Sequence, residues 1–373
     1  MSDINGFCDP RFSDVLAAFE ANFEENLELG ARFSLTVEGE LVADLWAGWA
    51  DKARTRPFDD RTLTMVYSTT KAVAATMIAR LVEQGKLAFD QPVAEIWPEF
   101  AQNGKGAITV AQVLSHQAGL PGFVEQIDPA LWFDPPAVVE ALAAKAPMWT
   151  PGSASGYHAL TVGYLTGEIY RRVDGRSMGA ALKADICEPA GLDLWIGLPD
   201  AEHARCAEFK PPTALPQFGE ITDPKRAAFL TLWAAPAGRG AEWRRLEVPS
   251  ANGHATAEAL ARFAGALATD GKLGGVQLLS PEVRDAARAE QIRGQDLVLP
   301  YELSWGAGFM RNPPNMFFGP GEQAFGHSGW GGSCAFADPE ARLGAAYVMN
   351  RQDIHLIGDP RARRMIQAAY TAL

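Results

Sequence analysis

Apolar residues recur along the chain at two spacings, which predict where helices and strands lie. Steps of three and four residues predict helices over residues 10–28, 160–173, 178–190, 256–271 and 360–373. Alternation of apolar and polar residues predicts a hairpin, with strands over 32–37 and 41–49 joined by a turn at 38–40. Further strands are predicted over residues 305–310, 324–329, 333–337 and 344–349.

Strands are therefore predicted towards both ends of the chain, with helices between them. Residues 86–150 form short helical pieces broken by proline and glycine, and residues 207–256, rich in both, predict an irregular lobe or flap. This distribution is typical of an α/β (α+β) protein. We expect an α/β domain built from residues 1–85 and 255–373, with residues 86–254 inserted as a mainly helical domain.

A serine and a lysine lie where a further helix is predicted to begin, and this helix ends near Gly85. Residues 65–71 read Met-Val-Tyr-Ser-Thr-Thr-Lys and lead directly into helical spacing. Ser68 is thus expected near a helix N-terminus, where free N–H groups and the helix dipole stabilise negative charge. Lys71 lies on the same face and can hold or accept the serine proton. The same residues are also compatible with an ordinary helix cap followed by a solvated lysine.

Two glycine-rich segments carry the other candidate side chains. Tyr157 follows a loop of small residues, 151–156, and precedes a predicted helix, so that its phenol can point into a cleft and move a proton. Residues 325–333 read Phe-Gly-His-Ser-Gly-Trp-Gly-Gly-Ser, and glycines in a strand pattern mark a bulge or a close backbone approach. The N–H of Trp330 is a candidate oxyanion donor beside that of Ser68. Each segment is also compatible with a structural role.

Four motifs, in their order along the chain, resemble those of the serine β-lactamase-like superfamily. They are Ser-Thr-Thr-Lys at 68–71, Val-Leu-Ser-His-Gln-Ala-Gly-Leu at 113–120, Gly-Tyr at 156–157 and His-Ser-Gly-Trp-Gly-Gly at 327–332. The match covers nearly the whole chain and is closest to the class C-like branch and the family VIII carboxylesterases. It implies a β-lactamase/DD-peptidase-like fold, in which helices flank an antiparallel sheet.

The resemblance also implies roles for individual residues. Ser68 would be the nucleophile, Lys71 its partner and Tyr157 the third catalytic residue, with the backbone N–H groups of Ser68 and Trp330 holding the oxyanion. His116 resembles a structural hallmark of the family. The substrate-binding residues implied by the fourth motif are His327, Ser328, Gly329 and Trp330.

Two departures separate the chain from class C lactamases. Residues 157–159 read Tyr-His-Ala where the pattern has Tyr-x-Asn, so the amide that binds the substrate and the active-site lysine is missing. Residues 327–329 read His-Ser-Gly where the pattern has Lys-Thr-Gly, so a titratable imidazole replaces a fixed cation. Several family VIII esterases carry a Trp-Gly-Gly like that of residues 330–332. We therefore expect a serine carboxylesterase that hydrolyses small or short-chain esters through an acyl-enzyme on Ser68.

Aromatic residues are expected to form the slot for the ester. Trp330 is one candidate, and the others come from residues 207–256, namely Phe218, Phe229 and Trp233. Three alternative functions use the same site. A β-lactamase or D-amino-acid peptidase would act on amides, and an acyltransferase would pass the acyl group to an alcohol or amine. A binding protein on an inactive scaffold is disfavoured because the catalytic side chains are all present.

The composition and charge of the chain indicate which kinds of binding partner to expect. The net charge is −12 and lysine and arginine form no run, which argues against nucleic acid and anionic membrane as partners. No apolar stretch approaches the roughly 18 residues of a membrane span, and the N-terminus has no signal-peptide pattern. Four scattered cysteines predict reduced thiols. We expect a cytoplasmic enzyme with a small-molecule ester as its partner and with no metal or cofactor.

Overall fold

The computed structural model of the chain describes residues 3–125, 127–230 and 240–373. At its centre is a nine-stranded antiparallel sheet, in the order β1-β3-β2-β14-β13-β12-β11-β10-β9. The strands along the chain are β1 Asn5–Cys8, β2 Gly30–Val37, β3 Glu40–Gly48, β4 Thr64–Met65, β5 Leu194–Trp195, β6 His254–Ala255, β7 Lys272–Leu273, β8 Val276–Gln277, β9 Ile292–Gln295, β10 Glu302–Trp305, β11 Met310–Arg311, β12 Phe325–Ser328, β13 Cys334–Asp338 and β14 Leu343–Met349.

Helices surround this sheet and fill the middle of the chain. The α-helices of the described residues are α1 Ser13–Glu24, α2 Thr70–Glu83, α3 Val93–Ile96, α4 Val110–Leu114, α5 Pro135–Ala144, α6 Thr161–Asp174, α7 Met178–Leu182, α8 Glu188–Ala190, α9 Asp223–Lys225, α10 Gly240–Arg245, α11 Ala257–Ala268, α12 Pro281–Arg288 and α13 Pro360–Thr371. Shorter turns of 3-10 helix lie at Pro10–Phe12, Tyr67–Thr69, Pro98–Ala101, Pro129–Phe133 and Asp200–Arg205, and π-helical turns at Lys183–Cys187 and Arg226–Leu230.

The two faces of the large sheet are covered by different helices. Phe33 and Leu35 of β2 belong to the core that also contains the apolar faces of α1 and α13. Thr36 points to the other face, where its Oγ1 donates to a carbonyl of α11 at 3.3 Å. Small residues let α11 lie close to the sheet, since a Cβ built on Gly344 would lie 2.2 Å from the backbone N of Gly265. Alternate residues of the predicted hairpin thus face the helices on opposite sides of the sheet, so that helices pack on both of its faces.

Helix α2 connects the sheet to the helical part of the chain. It contacts α6 on one side and β12 on the other, and nearly all of its residues are buried. Strand β4, which pairs with β6, ends just before the turn that carries Ser68. The N-terminal end of α2 is therefore held between the end of β12 and the start of α6.

Most predicted elements are confirmed, including the hairpin, α1, α2, α6, α11, α13 and the strands β12 to β14. The helix predicted over 178–190 is present but contains a π-helical turn at Lys183–Cys187. The strand predicted over 305–310 is wrong. Trp305 ends β10 and Met310 begins β11, because Gly306 and Gly308 form a tight turn between them, with φ of 91° at Gly308. Trp233 lies outside the described residues.

Strand β1 and helix α12 are among the elements that were not predicted. Strand β1 is a short edge strand with mostly exposed residues. Helix α12 is rich in charged residues and buries few side chains, although Ser280 caps its N-terminus by accepting a hydrogen bond from Val283 N at 3.3 Å. The domain boundaries at residues 85/86 and 254/255 stay a prediction. No helix in the described parts of the chain combines the length and hydropathy needed to cross a bilayer.

Candidate active site

Ser68 lies in the 3-10 turn that continues into α2, as its sequence position predicts. The first N–H bonded in this turn is that of Thr69, which donates to the Val66 carbonyl at 3.1 Å. The N–H of Ser68 precedes it and has no acceptor among the described residues. Tyr67, directly before the serine, has φ of 46°, a conformation that is costly for a non-glycine residue. The turn thereby presents Ser68, half-buried, at the helix N-terminus.

Lys71 is buried beneath Ser68 and contacts three oxygen atoms. Its Nζ lies 3.1 Å from Ser68 Oγ, 2.8 Å from the Ala159 carbonyl and 2.9 Å from the Ser250 carbonyl. Burial lowers the pKa of Lys71 well below its usual value. A neutral amine has two N–H groups, which the two carbonyls accept, and one lone pair, which is left for the Ser68 hydroxyl. This arrangement suits a general base.

Tyr157 packs against Lys71 and a cluster of aromatic rings. The Lys71 Nζ lies 4.7 Å from the tyrosine ring centroid, and the ring stacks on Trp305 at 6.0 Å. Burial raises the pKa of Tyr157, while a hydrogen bond with Ser68 acts in the opposite direction. The phenol is therefore neutral in the resting site. It lies beside Ser68 as a group that can donate a hydrogen bond or pass on a proton.

Asp296 holds the loop that carries Tyr157. One of its carboxylate oxygens accepts hydrogen bonds from the backbone N–H groups of Tyr157, Val298 and Leu299, each at 2.9 Å, and the other accepts one from Ser155 Oγ at 2.9 Å. Burial raises the pKa of this carboxyl, and the four donors act against that shift. Sequence reasoning missed Asp296. The sequence signal that could have found it is an aspartate directly before the apolar residues 297–299. An aspartate in such a position is expected to be buried, and a buried carboxylate must accept several hydrogen bonds.

Two buried histidines support the same loop. His158 Nε2 accepts a hydrogen bond from Leu120 N at 2.8 Å, so its Nδ1 carries the proton and donates to the Gly156 carbonyl at 2.6 Å. His116 Nδ1 accepts from His158 N at 3.2 Å, and the His116 carbonyl accepts from Gly156 N at 3.0 Å. Burial lowers the pKa of His158 to about 3 and that of His116 well below its usual value. Both are neutral, and their contacts agree with a structural role for His116.

The turn after β12 lies directly against the Ser68 turn. A Cβ built on Gly329 would lie 2.3 Å from the Val66 carbonyl oxygen and 2.2 Å from Ser333 Oγ, so only glycine fits there. Ser333 Oγ donates to the Val66 carbonyl at 2.9 Å and ties the two turns together. The N–H of Trp330 has no acceptor among the described residues. It is therefore available, with that of Ser68, as an oxyanion donor.

His327 lies on the wall beside Tyr157, with ring centroids 5.9 Å apart. Its Nδ1 lies 2.7 Å from the Ser328 carbonyl and donates to it, while its Nε2 has no partner among the described residues. Burial, followed by the charge of Lys71, lowers the pKa of His327 to about 3. The imidazole that replaces the expected lysine is therefore neutral above acidic pH.

A cavity of about 520 Å³ opens onto Ser68. Its lining includes the predicted residues Tyr157, His327, Ser328 and Trp330, whereas Gly329 packs behind it. Most of the remaining lining is apolar: Ala159, Leu160, Leu215, Pro216, Phe218, Ala228, Phe229, Ala251, Leu299, Leu356 and Ile357. Phe218, Phe229 and Trp330 thus lie where the apolar slot was expected.

Potential metal ligands lie elsewhere. Within the described residues, Asp353, His355 and Asp359 offer ligand atoms within 4.8 Å of one another. Both carboxylate oxygens of Asp359 already accept hydrogen bonds from Arg361, at 3.0 and 2.7 Å. This group is therefore a poor candidate for a metal centre.

The whole arrangement has a counterpart among known proteins. The family model described as Beta-lactamase matches residues 19–370. The chain belongs to the beta-lactamase family. It is a serine hydrolase with the beta-lactamase and penicillin-binding-protein type of fold, as the sequence motifs predict.

Members of this family with similar sequences or structures include esterases. The esterase/beta-lactamase LipL of Mycobacterium tuberculosis is 36% identical over 362 residues, which cover 93% of this chain and 82% of LipL. A penicillin-binding protein homologue from Caulobacter crescentus has a TM-score of 0.98 at 62% identity, and a family VIII carboxylesterase has one of 0.93 at 42% identity. Both structural matches cover 100% of each chain. The resemblance to family VIII carboxylesterases is confirmed at the level of sequence and fold.

In this member of the beta-lactamase family, Lys71 is held differently from the lysine of the class C motif. Position 159 has alanine where the motif has asparagine, yet Lys71 does not lose a partner there. The backbone carbonyl of Ala159 accepts its hydrogen bond, together with that of Ser250. Ala159 therefore removes an amide from the cavity without leaving the lysine unsupported.

The buried lysine predicts the pH dependence of turnover. Lys71 acts as a base only when neutral, so activity should rise with pH as the proton leaves it, through a limb well below the ordinary lysine pKa of about 10.5. His327→Lys should move this limb to lower pH, because a nearby cation disfavours protonated Lys71 and favours the Tyr157 phenolate. A pH–rate profile of an ester substrate measures the shift.

His327→Gln is the matched control for this prediction. The imidazole is already neutral above a pKa of about 3, so its removal should leave the position of the limb unchanged. If the limb has the same position in His327→Lys as in wild type, residue 327 does not tune the site.

Proposed function

We propose that this chain is a serine carboxylesterase that hydrolyses small or short-chain neutral esters through an acyl-enzyme on Ser68. The observation that carries the proposal is the environment of Lys71. Two backbone carbonyls accept hydrogen bonds from its N–H groups, and burial favours its neutral form. The lone pair of the neutral amine is left for the hydroxyl of Ser68, whose Oγ lies 3.1 Å from Nζ. The esterases among its relatives support the same reaction class.

In the acylation step, Ser68 Oγ attacks the ester carbonyl carbon while its proton passes to Lys71 Nζ. The negative charge that develops on the carbonyl oxygen is held by the backbone N–H groups of Ser68 and Trp330. The bond to the leaving alkoxide then breaks. Tyr157, which lines the cavity and contacts Lys71, relays the proton from Lys71 Nζ to the departing oxygen, and an alcohol leaves.

Deacylation repeats these steps with water. Lys71 and Tyr157 take a proton from the water as its oxygen attacks the acyl carbon, and the same two N–H groups hold the new oxyanion. The bond to Ser68 Oγ breaks, the serine regains its proton, and a carboxylic acid leaves. Each group thus returns to its starting protonation state.

The cavity wall supports neutral esters as the substrate class. The described lining residues include no lysine or arginine, and Lys71 lies beneath Ser68. The imidazole of His327, which does line the cavity, is neutral. A carboxylate placed in this cavity would lose water without gaining a cation. An uncharged acyl chain would instead contact apolar side chains such as Phe218 and Phe229.

Matched substrates test this class. We expect the 4-nitrophenyl ester of a neutral four- or five-carbon acid to exceed the corresponding hemisuccinate or glutarate ester in kcat/KM by roughly tenfold or more. A carboxylate that loses water without gaining a partner weakens the binding free energy of the transition state by about 1–3 kcal/mol. Intact-mass detection of a fluorophosphonate adduct on Ser68 checks the nucleophile in the same preparation.

Two results would contradict parts of the proposal separately. Equal rates for the neutral and acidic esters would show that the neutral class is wrong. Absence of an adduct on Ser68 in an active preparation would show that the nucleophile is wrong.

A further inference from the structure

We propose that Arg361 is a positioning residue for the oxyanion turn, which we define as residues 329–332. The inference rests on the proposed function, in which the N–H of Trp330 is an oxyanion donor. Arg361 lies in the first turn of α13, and its guanidinium contacts the oxyanion turn. It does not line the cavity, and nothing in its sequence context marks it.

Arg361 contacts the oxyanion turn directly. Its Nη2 donates to the Gly331 carbonyl at 2.8 Å, and the Asp353 N–H donates to the same oxygen at 3.1 Å. The side chain is only 3% exposed, so water does not compete for this hydrogen bond. Because the Gly331 carbonyl belongs to the residue after Trp330, its position helps to set the direction of the Trp330 N–H.

The guanidinium group is itself held rigidly. Asp359 accepts from its Nε at 3.0 Å and from its Nη2 at 2.7 Å, and Glu28 accepts from its Nη1 at 3.1 Å. The carbonyls of Arg351 and Leu27 accept from Nη1 as well, at 2.8 and 3.3 Å. A planar fork with partners on every nitrogen cannot rotate, so it provides a fixed support for Gly331.

Close packing leaves the oxyanion turn no space to move towards the guanidinium of Arg361. Gly332 has φ of 130°, and a Cβ on it would lie 2.6 Å from Asp359 Oδ2 and 2.7 Å from Arg361 Nη2. On the other side, Ser333 Oγ ties the end of the turn to the Val66 carbonyl at 2.9 Å. The Trp330 N–H is therefore held between two anchors, one on the nucleophile turn and the other on Arg361.

This support matters because oxyanion donors act only when they are placed before the reaction begins. A shift of about 1 Å in a reacting group can cost about 100-fold in rate. We therefore expect Arg361→Lys, which keeps the charge but cannot hold Gly331 and Asp359 together, to lower kcat/KM for a neutral ester by about 10- to 100-fold.

The test compares four readouts in Arg361→Lys and wild type: kcat and KM for the ester, the pH of the rising limb, and the Ki of a boronic acid that forms a tetrahedral adduct on Ser68. Rates are normalised to serines titrated to completion with a fluorophosphonate. The expected result is a fall in kcat with little change in KM. The boronate Ki should rise by the same factor as kcat falls, and the limb should not move, because Lys71 is untouched.

Arg364→Lys is the matched control. Arg364 lies on the same helix, but its guanidinium donates to Asn22 at 3.0 Å and Glu25 at 2.9 Å, away from the oxyanion turn. All four readouts should match wild type. A second test variant, Arg361→Gln combined with Asp359→Asn, removes the guanidinium together with the buried carboxylate that it contacts through two nitrogens, and so avoids leaving that carboxylate unpaired if the single variant fails to fold. Burial raises the pKa of the other acidic partner, Glu28, to about 8, so this side chain can stay buried in its neutral form.

The outcomes separate this inference from the proposed function. If wild type neither hydrolyses the ester nor forms the phosphonate adduct, the proposed function is wrong. If wild type is active but a folded Arg361 variant keeps full kcat, or loses kcat without a change in boronate Ki, Arg361 does not position the oxyanion donors.

Discussion

Ser68→Ala is expected to abolish ester turnover, by about 10⁴-fold or more, and to leave the protein folded. The hydroxyl of Ser68 is half-buried and contacts Lys71 and Tyr157, so its removal costs the fold about 1 kcal/mol for a lost hydrogen bond. The measurement is kcat/KM for a neutral nitrophenyl ester, with circular dichroism as the check on folding. Ser153→Ala is the control, because that exposed serine contacts only its own loop, donating to the Thr150 carbonyl at 2.7 Å.

The partners of Ser68 should behave as one unit with it. Lys71→Met keeps the volume but removes the base, and should cost about 10²- to 10⁴-fold in rate, while Tyr157→Phe should also lose a large fraction. The double variant should be little worse than the worse single variant, because either change already stops proton transfer. Lys86→Ala, at an exposed lysine just after α2, should have wild-type activity. Substantial turnover by Ser68→Ala would contradict the acyl-enzyme mechanism.

The part of the site that sequence predicts well is the part built by local geometry. Ser68 and Lys71 are one helical turn apart, so their contact follows from the helix alone. Tyr157 lies far along the chain, so its loop of small residues made it only a candidate for moving a proton, and its place beside Ser68 came from the resemblance of the motifs. The structure adds that the three side chains meet, since Lys71 contacts Ser68 Oγ and the tyrosine ring, and Tyr157 forms a hydrogen bond with Ser68.

The groups that hold the site in place could not be predicted in the same way. Lys71 is held by the backbone carbonyls of Ala159 and Ser250, and a carbonyl has no sequence signature because every residue has one. Asp296 and Arg361 act through contacts with residues 139 and 30 positions away in the chain, Tyr157 and Gly331. Their side chains are polar and fully buried, which only the folded structure reveals.

The fold shows the same division. Helices with a clear apolar stripe, such as α1 and α11, were predicted, while α12 was missed because it is short and half of its eight residues are charged. The strand predicted over 305–310 failed because the apolar residues at its ends belong to two different strands. Its glycines were the signal for a turn, since Gly308 has a positive φ that other residues rarely adopt.

Esters are expected to exceed β-lactams in kcat/KM by roughly ten- to ten-thousand-fold. A penicillin or cephalosporin needs its carboxylate and its side-chain amide held while the ring opens. The residue at 327 is a neutral imidazole with a pKa of about 3, and residue 159 offers the cavity a methyl group, its carbonyl being occupied by Lys71. Each missing contact is worth about 1–3 kcal/mol in the transition state.

A short neutral ester needs neither contact. It uses Ser68, the two oxyanion donors and the apolar wall that includes Phe218 and Phe229. The difference between the substrates therefore lies in how their transition states are bound and not in the nucleophile. Because the nucleophile itself is intact, β-lactams should still acylate Ser68 slowly and act as poor substrates or inhibitors.

The decisive measurement compares a short acyl nitrophenyl ester with a chromogenic cephalosporin, on wild type and on Ala159→Asn combined with His327→Lys. The double variant restores an amide and a cation at the two positions, so its kcat/KM for the cephalosporin should rise while that for the ester changes little. Comparable wild-type values for the two substrates would contradict the esterase proposal. A double variant with no gain would instead show that the exclusion of lactams is set elsewhere, with the aromatic wall formed by Phe218, Phe229 and Trp330 as the next place to test.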